Sequence, residues 1–325
     1  MGVVRWGLVG AGDIARKRVA PALLDLPNSE LASVSRSRAE LAEGFARDLG
    51  IANWFGEWRD QIADPEIDAV YIATPVFMHA AQTIAAAEAG KHVLCEKPMA
   101  LTVAECDKMV AACKANNVNL GIAYYRRFYP VLGRIKENIS SDLIGRVTVA
   151  QINAFEWFDP EPDHPRHWLI EKEKSGGGPM IDFGCHRLEI LADLFGPPRR
   201  VESLVSNDVL GGEVEDTATA LLQFDGGECA ALTVTRAAIE PRDSLDIFGT
   251  KGSIHIPVLN SGQMTIKVGA AEQSESHPPD TNFHKPLIDD FAEAILHDRE
   301  PAVSGEDGRN VALMIEEIYI KGVKV

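Results

Sequence analysis

From residue 3 to about residue 123 the chain repeats one cycle: a short apolar run rich in β-branched residues, a turn, then a stretch with helical spacing. The strand-like runs cover 3–9, 31–34, 69–73, 92–95 and 119–123. Each is too short and too continuously apolar to be half exposed, so they read as buried parallel strands. Helical spacing separates them over 14–26, 39–49, 80–89 and 103–115. Gly90 stands where a C-cap belongs. Thr102 with Glu105 forms a capping-box signature that fixes a helix start just after Glu96-Lys97-Pro98. Pro21 is awkward inside the first helix and is expected to kink or shorten it. The alternation predicts an α/β fold with an N-terminal doubly wound parallel sheet of the Rossmann type.

After residue 124 the pattern changes. A helix is expected from Pro130 to 139 and a strand over 146–155, then a polar and aromatic stretch leads to Gly176-Gly177-Gly178 and a helix reaching Phe195. Strands follow at 200–207, 217–224, 228–236, 244–248 and 252–258. Asp225-Gly226-Gly227 and Thr250-Lys251-Gly252 between them read as hairpin turns. This half is expected to be α+β around a large, mostly antiparallel sheet. The expected division is a dinucleotide-binding domain, 1–123, and a substrate-binding and oligomerisation domain, 124–325. Helical spacing returns at 286–296 and 308–320, and those helices can pack on either domain.

The 325 residues suffice for a core without disulfide or metal staples, and 46% hydrophobic content excludes a disordered chain. Thirty-two basic against 48 acidic side chains give a net charge of −16. Such a balance repels phosphate backbones and anionic lipid, so neither nucleic acid nor membrane is expected as a partner. The five cysteines, Cys95, Cys106, Cys113, Cys185 and Cys229, include no C-x-x-C pair and suit a reducing cytoplasm. The N-terminus reaches Gly10 too soon for a signal-peptide core, and no apolar run has transmembrane length.

Val9-Gly10-Ala11-Gly12-Asp13-Ile14-Ala15 closes the first strand and opens the first helix as a G-x-G-x-x-A turn. Gly10 serves the tight turn, Gly12 leaves room for a pyrophosphate, and Ala15 lets the helix pack on the sheet. The helix N-terminus adds free N–H donors. Gly10, Gly12, Asp13 and Ile14 are therefore expected cofactor contacts. At the end of the second strand, where a carboxylate would hold a free ribose 2′-hydroxyl, the sequence reads Ser33-Val34-Ser35-Arg36-Ser37-Arg38. Ser35, Arg36 and Arg38 suit a 2′-phosphate, which predicts preference for NADP(H), with NAD(H) as the other option.

Lys97 lies just past the end of a parallel strand, where ligands of open α/β sheets bind. Asp182 and His186, four apart in an expected helix, share one face. An aspartate there can orient the ring and leave its other nitrogen for proton exchange. His164 and His167 offer no diagnostic ligand spacing, and no metal is expected.

Four pieces in order, the Gly10–Ala15 turn, Ala73-Thr74-Pro75 with His79, Glu96-Lys97-Pro98, and Gly176-Gly177-Gly178 with Asp182 and His186, resemble the Gfo/Idh/MocA superfamily (glucose-fructose oxidoreductase, inositol dehydrogenase, rhizopine catabolism) over essentially the whole chain. The resemblance implies an NAD(P)-dependent oxidoreductase that moves a hydride between nicotinamide and a secondary alcohol or ketone of a sugar, cyclitol or polyol. It implies Lys97 and His186 as the acid/base pair, either of which carries the proton among relatives, and Asp182 as orienting group. Thr74, Pro75, His79 and Glu96 join the cofactor contacts, while Tyr124, Arg126 and Trp168 join the substrate side. Leu169 follows Trp168 where relatives often have arginine, which loosens any inherited substrate preference. Cys185 is expected in the core. A homodimer or homotetramer through the C-terminal sheet is also implied. The other readings are an NAD-assisted glycosidase or aldose transhydrogenase with retained cofactor, and a noncatalytic dinucleotide-binding sensor.

Overall fold

Continuously apolar strands need cover on both faces, and parallel pairing supplies it. In the computed structural model, which describes residues 2–324, the first sheet is built from Val4–Val9 (β1), Ser29–Ser35 (β2), Asn53–Phe55 (β3), Ala69–Ile72 (β4), His92–Cys95 (β5) and Leu120–Ile122 (β6). Their spatial order is β3-β2-β1-β4-β5-β6, and every pair is parallel. β1 lies between β2 and β4, so connections depart to opposite sides from its carboxyl end. That reversal opens a crevice where ligands of such sheets bind.

The first helix runs from residue 13 to 25 despite Pro21. Ala15–Val19 forms a π turn, closed by Ala20 N–H on the Ala15 carbonyl, and Pro21 then falls in the first turn of the α segment Ala20–Asp25. The wider turn places the proline where its missing N–H costs little, so the helix continues instead of breaking. The capping box forms as expected: Thr102 accepts from Glu105 N–H, and the Glu105 carboxylate accepts from Thr102 N–H. The short edge strand β3 and the helix Trp58–Ile62 are additions to the sequence reading.

The chain divides into two compact units, and the division is discontinuous. The first contains residues up to Tyr125 together with Asp280–Ala312; the second contains Arg126–Pro279 and the residues from Leu313 on. The sequence reading places all of 124–325 in one domain, whereas the helix Lys285–Leu296 belongs with the first sheet. Phe291 of this helix meets Trp6 of β1 with ring centroids 5.8 Å apart. A Cβ on Gly121 of β6 would stand 2.7 Å from the Phe291 ring, so glycine there makes the contact possible. Asn28 donates to Asp289 and Glu293 of the same helix at 2.8 and 2.7 Å.

In the second unit the strands are Val147–Trp157 (β7), Arg200–Ser206 (β8), Thr217–Gln223 (β9), Cys229–Thr235 (β10), Ala237–Gly249 (β11), Gly252–Ile256 (β12), Gln263–Val268 (β13), Ala271–Ser276 (β14) and Val323–Lys324 (β15). Their order is β14-β13-β12-β11-β7-β10-β9-β8-β15. The sheet is mostly antiparallel, with β7/β10 and β8/β15 the parallel pairs. The turns at 225–227 and 250–251 join antiparallel neighbours, and the β13/β14 hairpin was not legible in advance. The triple glycine also has a structural explanation. Gly176 is a left-handed C-cap at φ 79°. A Cβ on Gly178 would stand 2.0 Å from the Glu215 carbonyl oxygen, so the close approach it permits is to backbone.

Candidate functional site

The crevice of the first sheet is a cleft of about 340 Å³, floored by the glycine turn after β1, the end of β2 and the Ala73-Thr74-Pro75 segment after β4. Gly10 has φ 96°, and a Cβ there would lie 2.8 Å from the Ala73 carbonyl group. Only glycine satisfies both demands. A Cβ on Gly12, by contrast, would find no protein atom nearer than 4.0 Å, so the space in front of the turn is open. Gly10 and Ala11 donate their N–H groups to the Ser35 carbonyl, which locks the turn to β2.

Two buried polar atoms of residues lining the cleft have no hydrogen-bond partner among the described residues: Ser35 Oγ and Gln82 Nε2. Buried polar groups are normally satisfied. With the open glycine turn, they fit a polar ligand such as a dinucleotide. Arg36 also lines the cleft, with one terminal nitrogen donating to the Ala11 carbonyl at 3.0 Å.

Lys97 follows β5 and is joined to Pro98 by a cis peptide bond. Its turn is held by Glu96, which is 8% exposed. The Tyr71 hydroxyl donates to Glu96 Oε1 at 2.9 Å, Lys97 N–H donates to Oε2 at 3.2 Å, and His284 Nε2 lies 3.3 Å from Oε1. Burial alone would push the Glu96 carboxyl up. The contact with His284, the Lys97 charge and the Tyr71 hydroxyl outweigh it and hold that carboxyl below its ordinary value. His284 stacks against Tyr125, with ring centroids 4.7 Å apart.

His79 opens the helix His79–Glu88. Its Nε2 and Nδ1 lie 2.9 and 3.0 Å from the carbonyl oxygens of Thr74 and Pro98. Burial lowers its proton affinity, and a neutral ring donates to one of the two. The side chain therefore ties the cleft's Thr74 segment to the Lys97-Pro98 turn.

In the second unit Asp182 lies in a π turn, Met180–Gly184, and His186 in the first turn of the helix Cys185–Phe195. The two stand at a junction of helical types, not on one regular α face. The Asp182 carboxylate accepts from Arg236, a guanidinium that is almost fully buried. Arg236 also pairs with Glu156 at 3.2 Å and donates to the Leu169 carbonyl at 3.3 Å. Glu215 accepts from the N–H groups of Gly178 and Met180 at 2.8 and 3.0 Å and from the Tyr319 hydroxyl at 2.7 Å, pinning the start of the π turn. Burial raises the Glu215 pKa, opposed by those three donors. Cys185 is fully buried, as expected of a core residue.

Residues 4–124 match the oxidoreductase family with an NAD-binding Rossmann fold, and residues 133–255 match the GFO/IDH/MocA C-terminal domain. The chain belongs to the Gfo/Idh/MocA family. It is an NAD(P)-dependent dehydrogenase or reductase. Among its relatives is a 1,5-anhydro-D-fructose reductase of Ensifer adhaerens, 30% identical over 94% of this chain and 92% of that one. The fold superposes on the aldose-aldose oxidoreductase of Caulobacter crescentus, crystallised with glycerol, at a TM-score of 0.89 and 29% identity, covering 98% of this chain and 97% of the other. A levoglucosan dehydrogenase in complex with NADH and levoglucosan gives 0.87 at 26% identity, covering 98% and 96%.

Of the cofactor contacts the sequence suggests for this family member, the structure gathers Gly10, Gly12, Ser35, Arg36, Thr74 and Pro75 around the cleft. It leaves others out of the lining. Asp13 is exposed and pairs with Lys17 at 3.0 Å, and Ile14 is also exposed. Arg38 is exposed at the N-cap of the helix Ala39–Leu49. His79 and Glu96 are buried and bind neighbouring protein groups. On the substrate side Tyr124 is buried, and Trp168 is 36% exposed on the short helix His167–Ile170. Arg126 is buried, donates to Asn260 at 2.8 Å and faces Asp243 at 3.6 Å. His164 and His167 make local backbone hydrogen bonds, and no three metal-ligating side chains converge among the described residues.

Gln82, Glu57 and Trp58 line the cleft without having been singled out. The signal for Gln82 was a lone amide in an alanine-rich helix, while Glu57 and Trp58 follow a strand too short for periodicity to reveal. Glu96→Gln should destabilise the protein by roughly 1–3 kcal/mol near neutral pH, because it removes the carboxylate facing His284. Its depressed folded pKa makes the contribution fully present above the ordinary carboxylate range and lost as pH falls through it. Urea unfolding of both proteins should therefore show a gap at pH 7 that narrows below roughly pH 4.

Proposed function

We propose that this oxidoreductase moves a hydride between NADP(H) and a secondary alcohol or ketone of a sugar, cyclitol or polyol. The observation that carries this reading is the buried Glu96 anchor that fixes the Lys97 turn beyond β5, in a domain whose glycine turn leaves space for a dinucleotide. Bound nicotinamide supplies a carbon that accepts or releases the hydride. Lys97 answers the charge developing on the substrate oxygen, and His186 exchanges its proton, with Asp182 held by Arg236 as the orienting group. Lys97→Ala is expected to lower kcat by roughly 10²–10⁴-fold while dinucleotide affinity changes little. Full turnover by this variant on a panel of sugars and inositols would end the assignment.

The NADP preference is supported by Ser35 and Arg36 at the end of β2, with no carboxylate on that strand's exit. NADPH should bind more tightly than NADH, and Arg36→Ala should erase about a tenfold share of the difference, as loss of a charge-assisted hydrogen bond implies. Fluorescence titration decides it, and tighter NADH binding by the wild type would refute it. Similarity to an aldose-aldose oxidoreductase favours one second reading, transhydrogenation between two aldoses on a retained cofactor. Dinucleotide that stays with the protein through gel filtration would select that reading.

A second copy of the chain is the proposed partner of the second sheet. Strand register places Leu204, Leu221, Val149 and Phe248 on one face, and all four are exposed. Native mass should correspond to a dimer or tetramer, and Leu221→Lys should shift it toward the monomer. A monomeric wild type would overturn the proposal.

A further inference from the structure

Gln82 is 1% exposed on the helix His79–Glu88 and lines the cleft beside Thr74. Its Oε1 accepts a 2.6 Å hydrogen bond from the Thr74 hydroxyl, whereas Nε2 has no acceptor among the described residues. A buried N–H group left unmade is costly, because its lost hydration is not returned. If the residue served only Thr74, its amino group would be a standing penalty. Thr74 in turn sits at the glycine turn: its Cγ2 lies 2.9 Å from the position a Cβ on Gly10 would take.

We infer that the Gln82 carboxamide is a cofactor-binding group, its Nε2 donating to an oxygen of the half of the dinucleotide that joins the pyrophosphate to the nicotinamide ribose. Thr74 acts as its positioning residue, fixing the amide so that the acceptor end is occupied and the donor end remains for ligand. The inference rests on the dinucleotide occupying this cleft.

The test uses the full chain free of added cofactor, with Gln82→Met and Gln82→Glu. Methionine fills similar space without a polar group, while glutamate keeps an acceptor for Thr74 and replaces the donor with a negative charge. Calorimetric titration with NADH and NADPH should show roughly tenfold weaker binding for Gln82→Met and a larger loss for Gln82→Glu. AMP, which lacks the nicotinamide half, should bind each variant within about twofold of wild type, the difference expected when no contact is lost. The thermal midpoint of unliganded Gln82→Met should lie close to that of wild type, since the unsatisfied amino group goes while the Thr74 hydroxyl loses its acceptor. Should that variant fold poorly, Gln82→Glu alone decides. Unchanged dinucleotide affinity in the folded variants overturns the role of Gln82, and equal weakening of AMP overturns the half assigned to it. A wild type that binds neither dinucleotide overturns the cleft assignment instead.

Discussion

The close approach of two strand exits governs the first unit. β1 is followed by Gly10, which takes a positive φ and where a Cβ would collide with the backbone of Ala73, just past β4. Any side chain would push the exits apart and close the space that the reversal of sheet order creates. The consequences pass along covalent and hydrogen-bonded neighbours. Thr74 orients Gln82, the Thr74 carbonyl meets His79, and the same ring reaches the Pro98 carbonyl in the turn that presents Lys97. The open glycine turn and the Lys97-Pro98 turn are thus linked by one short series of contacts at the carboxyl end of the sheet.

The second unit uses charge differently. Despite the net charge of −16, its interior holds arginines, each facing carboxylates: Arg236 with Asp182 and Glu156, Arg187 with Asp243. Removing one member of a buried pair leaves the other uncompensated, so these groups constrain geometry strongly even where they add little net stability. Glu215 completes the frame by occupying the N–H groups at the start of the turn that carries Asp182.

What was legible in advance depended on how local its cause is. The Thr102–Glu105 capping box, the apolar run at 92–95 and the glycine turn all act within a few residues, and each was readable from spacing. β3 was missed because three partly exposed residues carry no period, and β14 because nearly all of it faces water. Gly178 was readable as a position of close approach, yet what approaches it is Glu215, 37 residues later. Arg38 reads like Arg36 in the sequence, but it stands exposed at the N-cap of the helix that starts at Ala39 and is not part of the cleft lining. Pro21 reads as a kink or an early end of the first helix, because nothing in the spacing reveals the π turn at Ala15–Val19 that precedes it. His284 gave no signal at all, since its reason is Glu96, far upstream and reached only after the chain returns to the first sheet.

That return has a consequence for biosynthesis. When the ribosome has released the first 125 residues, every strand of the parallel sheet exists, yet Phe291 over Gly121 and His284 beside Glu96 do not. The nascent segment must wait, with part of its apolar surface uncovered, while about 150 residues of a different architecture emerge. The anchorage of the Lys97 turn is therefore completed only once His284 has emerged, behind the whole of the 126–279 segment.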